Sequence, residues 1–215
     1  TFLDAHVGVL VMRDVVNPPS HEELEKLKSA LEQELRARYA GQDRAALGQL
    51  PILQAYAAYY RGFKKTYHVQ LQLESIVFKN KAIPSVAALV EAMFMAEIKN
   101  LQLTAGHDLD ALRVPLTLDV SLGDERYTLL RGQEQELKAG DMFIRYGAGV
   151  ISSILYGPDQ RTAISAQTRN VVFTTYAPAG IAAETVLNHL QDLQQNVLLI
   201  APNAQVERQQ VFGAR

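Results

Sequence analysis

The sequence predicts an α+β fold, a mainly antiparallel central sheet flanked by helices. Two observations carry this expectation. Helix-period apolar segments crowd the first half of the chain, and short β-branched runs, separated by Gly, Asp or Pro every roughly 8–15 residues, follow Asp110. Helices and strands are segregated rather than alternating, which argues against βαβ units and a parallel sheet. No repeat, low-complexity tract or Pro/Gly/Ser linker divides the chain, so residues 1–215 are expected to form one domain.

Residues 5–16, AHVGVLVMRDVV, are β-branched and stop at Asn17-Pro18-Pro19, which reads as a strand closed by a turn. Ser20 is the expected N-cap of the next helix, with Glu22, Glu23 and Glu25 at its positive end. Leu24, Leu27, Leu31 and Leu35 form its apolar stripe, its charged face is expected to be solvated, and Gly41 ends it. A second helix is expected over 50–62, opened by Pro51, a third over about 66–80, and a fourth behind Pro84-Ser85 through AALVEAMFMAEIKN. Met93, Phe94 and Met95 read there as core. Strands are expected at 116–122, 127–130, 141–146, 150–156 and 170–176, then a helix over about 181–195 and a last short strand, NVLLI.

Composition narrows the chemistry. With 21 Lys+Arg against 23 Asp+Glu the net charge is −2, and 48% of residues are hydrophobic. The chain is therefore neither disordered nor globally basic, and any nucleic-acid contact must come from a local patch. Zero cysteines exclude a disulfide framework, a zinc–thiolate or iron–sulfur site and a thiol nucleophile. His6, His21, His68, His107 and His189 form no close pair of ligand spacing, so neither a metal nor another cofactor is expected. The apolar run from Val7 to Met12 is too short for a signal peptide, and no stretch approaches the roughly 20 residues of a membrane span. A soluble, cytoplasmic protein without membrane partners is the expectation.

Three segments could carry chemistry. Arg61, Lys64 and Lys65, interleaved with Tyr59, Tyr60, Phe63 and Tyr67, combine cations for phosphate with flat faces for unpaired bases. The same pattern also fits a helix end whose aromatics are core. In LTAGHDLD (103–110), His107 beside Asp108 and Asp110 reads as a general base held by a carboxylate or as a hydrogen-bonded turn. In YGPDQRTAIS (156–165), Asp159, Arg161 and Thr162 leave an apolar strand as a pocket rim would, or as a hairpin whose Asp and Arg pair together. Gly147-Ala148-Gly149, with no helix after it, is not a dinucleotide fingerprint.

The order YRGFKKTYHV (60–69), LESIVFKNKAIPSVAALVEAMF (73–94), LTAGHDLD (103–110) and RTAISAQTRNVVFTTYAP (161–178) resembles the tRNA-binding B-three/B-four domain of the phenylalanyl-tRNA synthetase beta subunit, above all its free-standing forms. Lys79, Lys81, Ile83, Pro84, Ser85 and Val90 match one family passage, Gly106, Asp108, Leu109 and Asp110 a second, and Arg161, Thr162, Ile164, Thr168, Arg169 and Asn170 a third. The recognisable part covers about 59–185.

The resemblance implies an α+β editing-domain fold and a pocket that, in the bacterial synthetase, hydrolyses the ester of mischarged tyrosyl-tRNA. It also implies a role in translation fidelity. The family's Gly-Gly-Glu falls on Pro158-Asp159-Gln160, its Asn on Phe94, and its His on Ala105. Carried over, it implies that Asp159 or His107 orients water, that Ser152, Gln160, Thr162, Thr168 and Phe94 line the pocket, and that Arg161 with Arg61, Lys64 and Lys65 holds phosphate. A complete aminoacyl-tRNA ligase is not expected. Two readings stay open here: a tRNA-binding module that hydrolyses mischarged aminoacyl-tRNA in trans, and a non-catalytic module binding RNA or an amino-acid-like small molecule.

Overall fold

A computed structural model describes residues 4–213. The chain opens with β1 (His6–Arg13) and continues through α1 (Glu22–Arg38), α2 (Arg44–Leu47), α3 (Pro51–Gly62), α4 (His68–Lys79) and α5 (Ala88–Asn100). Next come β2 (Leu103–Asp108), a 3₁₀ turn at Leu109–Ala111, β3 (Thr117–Val120), β4 (Arg126–Thr128), β5 (Glu134–Glu136), β6 (Met142–Tyr146), β7 (Gly149–Ser153) and β8 (Gly157–Pro158). The last elements are β9 (Val171–Ala177), α6 (Ala183–Ile200) and β10 (Gln205–Gly213). One sheet runs β10-β1-β9-β2 and a second β3-β6-β7-β8, every pairing antiparallel, and β4 and β5 form a ribbon. The fold is α+β, as the segregated pattern requires.

The first sheet shows why its central strands are apolar in both directions. β9 is buried throughout and β1 nearly so, because helices cover one face and the second sheet the other. α6 lies so close to β1 that a Cβ on Gly8 would stand 2.7 Å from Val186 Cγ1, so only glycine permits that approach. Val186, Leu190, Leu193, Val197 and Ile200 keep helical spacing along α6 and are buried. NVLLI is thus the last turn and a half of a helix, not a strand, because the 3.6-residue period runs through it unbroken. β10 follows it instead, a polar strand paired to β1 by main-chain bonds and carrying no hydrophobic period that could reveal it.

Two details of α1 depart from expectation. His21, not Ser20, caps the helix, its Nδ1 accepting from Leu24 N–H at 3.4 Å. Leu27 is 43% exposed, while Lys28 takes the buried position on the stripe. Lys28 Nζ reaches Glu91 Oε2 at 2.6 Å and Ser85 Oγ at 3.0 Å, so a buried ion pair joins α1 to α5 where a leucine stripe would suggest only apolar packing. Glu32 is buried too, with Oε1 accepting from Ile83 N–H at 2.7 Å. The charged face of α1 is therefore only partly solvated.

The aromatics around residue 60 are structural. Tyr56, Tyr60 and Tyr67 are buried, and Tyr56 stacks on Tyr67 with ring centroids 4.0 Å apart. The Tyr56 hydroxyl donates to Tyr176 O and accepts Leu103 N–H at 2.9 Å, inserting into the start of the β2–β9 ladder. Tyr60 donates to Ile154 O, just past β7, and Tyr67 to Leu101 O at the end of α5, so Tyr56 and Tyr60 fasten α3 to both sheets. Tyr56→Phe removes one donor and one acceptor at a fully buried site. It should cost about 2 kcal/mol and lower Tm by about 4–8 °C. A melting temperature unchanged within a degree would show that the insertion contributes nothing.

Candidate functional site

β2 is an edge strand of the first sheet. Its segment, LTAGHD, lacks alternation and β-branched weight, and it forms because β9 supplies the ladder on one side. Antiparallel alternation turns the amides of Thr104, Gly106 and Asp108 away from β9. Thr104 N–H donates to Glu97 Oε1 at 2.7 Å and Asp108 N–H to Thr162 O at 2.8 Å. Between them the Gly106 main chain borders a cavity of about 480 Å³. A Cβ on Gly106 would lie 2.7 Å from Ile164 Cδ1 and 3.1 Å from the Phe173 ring, so glycine lets the Ile164 side chain close in on this edge.

The cavity has two walls. α4 and α5 contribute His68, Gln72, Val90, Met93, Phe94 and Glu97, and the opposite wall is Ser153 with Leu155–Pro158 and Ala163–Ile164. The lining is mainly apolar with a few polar groups, the usual make-up of a small-ligand site. Burial pushes the Glu97 carboxyl up to about 8, against the opposing pull of the Thr104 amide. Burial, with the Lys65 charge, pushes His68 down to about 4. Lys65 Nζ stands 4.2 Å over the ring of Tyr156, a wall residue, and burial lowers its pKa, with Lys138 adding to the effect. A larger groove of about 620 Å³, with wall residues from both sheets, is lined by Val7, Val9, Leu118 and Ile144. Its one charged wall group, Asp119, is paired with Arg145 at 3.0 Å, so it offers little chemistry.

The B3/4 domain family matches residues 52–194, two thirds of the chain and all of both cavity walls. The chain belongs to the B3/4 domain family. Its fold is similar to that of an N-terminal fragment of the phenylalanyl-tRNA synthetase beta subunit from Pyrococcus horikoshii, with a TM-score of 0.50 and 9% identity. The match covers 97% of this chain and 50% of that one, so this chain spans half the length of the solved fragment. No curated protein matches the chain.

Within this B3/4 domain the sequence-derived candidates separate into groups. Phe94 lines the cavity. Asp159, Arg161, Thr162 and His107 come together, but in a network behind the wall that leaves the buried Nε2 of His107 without a hydrogen-bond partner. Arg161 Nε donates to Asp159 Oδ2 at 2.8 Å, and its other two nitrogens donate to Ala148 O and Val150 O, each at 2.7 Å. Thr162 donates its N–H, at 3.1 Å, and its hydroxyl to Asp159 Oδ1. His107 Nδ1 lies 2.8 Å from Thr162 Oγ1. His107 is fully buried, and burial pushes it down to about 4 despite the opposing Asp159 charge. The Asp–Arg pairing of an ordinary hairpin is thus realised, and the network sets where Ala163 and Ile164 meet the cavity.

Ser152 is buried with its hydroxyl on that of Tyr176, and Thr168 donates to Asp108 Oδ2 at 2.7 Å. Gln160 is exposed, its N–H on Thr128 O at 2.9 Å. Arg61 and Lys64 are exposed, and only Lys65 of the basic cluster adjoins a cavity residue. Sequence reasoning did not single out Glu97 or His68. Glu97 was nevertheless visible as an acid three residues from Phe94, four from Met93 and seven from Val90, on an otherwise apolar helix face. Among the described residues no His/Asp/Glu cluster could hold a metal, and no helix is long and apolar enough to cross a membrane.

Proposed function

We propose that the cavity receives the aminoacyl end of a tRNA, or a related aminoacyl ester, and that the chain hydrolyses such an ester in trans. The observation that carries this reading is the combination at β2: a mainly apolar cavity bordered by the outward-turned Gly106 main chain, with a lysine beside its Tyr156 wall. An acyl side chain packs against Phe94, Met93 and Ile164, and in this reading the Gly106 N–H donates to the ester carbonyl as charge develops on it. Lys65 meets phosphate. Asp159 and His107 act in this reading through Thr162, positioning the Ala163–Ile164 wall. Membership of the B3/4 domain family, and a fold shared with a fragment of a tRNA synthetase subunit, support the assignment.

A panel of aminoacyl-tRNAs offered to the purified protein tests it. Deacylation of at least one is expected, and Phe94→Trp, which fills the cavity, should slow it at least about tenfold. Lys65→Glu should weaken tRNA binding and flatten its salt dependence by about one unit of slope. If the wild type cleaves no member of the panel, hydrolysis is abandoned. A second reading, binding without catalysis, is favoured by the engagement of both Asp159 carboxylate oxygens by Arg161 and Thr162. A salt-sensitive tRNA shift with no deacylation would establish it.

A further inference from the structure

Among the described residues Glu97 is the one carboxyl group of the cavity wall. A carboxyl group on an apolar helix face is excluded unless something holds it. Here the Thr104 amide holds Oε1, and among the described residues no Lys or Arg pairs with it. The second carboxyl oxygen is the one it can offer to a ligand. Thr104 and Gly106 are two residues apart on an extended strand, so their outward amides lie roughly 6.6 Å from each other. Glu97 on the first and an ester carbonyl on the second leave space for one water between them.

We propose that Glu97 is the general base of this cavity, taking a proton from the water that attacks an ester carbonyl held at the Gly106 N–H. The inference rests on the cavity being an aminoacyl-ester site. The water oxygen bonds to the carbonyl carbon while its proton passes to Glu97. The resulting oxyanion lies on the Gly106 amide. When it collapses, the bond from carbon to the ester oxygen breaks, the departing ribose oxygen takes the proton back from Glu97, and free amino acid and hydroxyl remain.

The groups facing Glu97 leave its titration isolated. Tyr56 and Tyr60 of α3, Tyr67 ahead of α4 and Tyr176 of β9 are all raised above their ordinary value by burial and stay neutral. His68 of α4 and His189 of α6, the latter 2.7 Å from Thr104 Oγ1, are pushed down to about 4 and are neutral above pH 5. Glu97, at about 8, has the proton affinity a base working near neutrality needs.

The test uses the aminoacyl-tRNA that the wild type cleaves fastest, together with 3′-aminoacylamino-3′-deoxyadenosine carrying the same amino acid, an amide that water does not cleave. Glu97→Gln keeps an oxygen for the Thr104 amide. It is expected to lower single-turnover deacylation about 100-fold or more while amide affinity stays within about threefold. The wild-type rate should climb with unit slope to a plateau above pH about 8, and Glu97→Asp should retain part of the rate. A Gln variant with an unchanged rate, or one that loses rate, amide affinity and thermal stability together, overturns the proposal. Amide binding to a wild type that cleaves no ester also overturns it but leaves the cavity reading standing. No amide binding and no cleavage removes both.

Discussion

Arg161→Met is expected to destabilise the protein by about 2–4 kcal/mol and to lower Tm by roughly 6–12 °C, with the loss originating at Asp159. The Asp159 side chain is fully buried, whereas that of Arg161 is 45% exposed. Removing the guanidinium leaves a buried carboxylate with only the two Thr162 donors and strips Ala148 O and Val150 O of their partner. An unpaired buried charge costs about 3–5 kcal/mol, and the exposed side of the arginine lets water recover part of that. Arg161→Lys should recover little, because an ammonium cannot span an acid and two carbonyls in one plane. Urea unfolding of the wild type, both Arg161 variants and Asp159→Asn checks this. If Arg161 instead serves as a free phosphate clamp, Arg161→Met unfolds like the wild type and loses tRNA affinity.

Stability should peak near pH 6.5 and fall on both sides. On the acid side the cause is three buried neutral histidines, His68, His107 and His189, each pushed down to about 4. A depressed folded pKa contributes stability that is complete above the unfolded value of about 6.5 and lost as pH falls toward 4, about 3 kcal/mol for each histidine. Glu97, at about 8, and Asp141, at about 6, act the other way. Their stabilisation is complete below their unfolded values and lost as pH rises through the folded ones, so between pH 6.5 and 4 they return roughly 5 kcal/mol. The net acid loss is on the order of 4 kcal/mol. Above pH 6.5 the histidines no longer contribute, and ionisation of Glu97 removes about 2 kcal/mol by pH 9. Denaturant midpoints from pH 4 to 9 should trace this dome, and Glu97→Gln should flatten only its alkaline side. A curve still rising at pH 9 would contradict the buried, protonated state of Glu97.

The candidate site was legible in outline and hidden in detail, for a reason visible in particular residues. The sequence patterns located LTAGHDLD and YGPDQRTAIS, and the fold does bring these two segments together. Patterns register residue type, however, and Asp159, Arg161 and His107 stood out as charged or titratable groups although their bonds turn inward. Glu97 did not stand out, and Gly106 did so only as a motif glycine, not as a main-chain donor. A main-chain amide has no letter, and a single acid among apolar neighbours looks like an ordinary helix residue until its burial is known.

Period and punctuation alone determined the α+β class, α3 opened by Pro51, the apolar strands β1, β6 and β9, and an order of motifs that places the chain beside the B3/4 domain. Only the tertiary structure decided that β2 is a strand, that β10 exists, that NVLLI completes α6, that Lys28 is buried against Glu91, and which polar groups border the cavity. Local sequence carries the repeat of a helix or of a half-buried strand because those patterns arise within a few residues. Whether an edge amide is paired, or a carboxyl is dry enough to hold its proton, depends on groups far away in the chain. Thr104 on β2 donates to Glu97 seven residues earlier, and Asp108 to Thr162, fifty-four residues later.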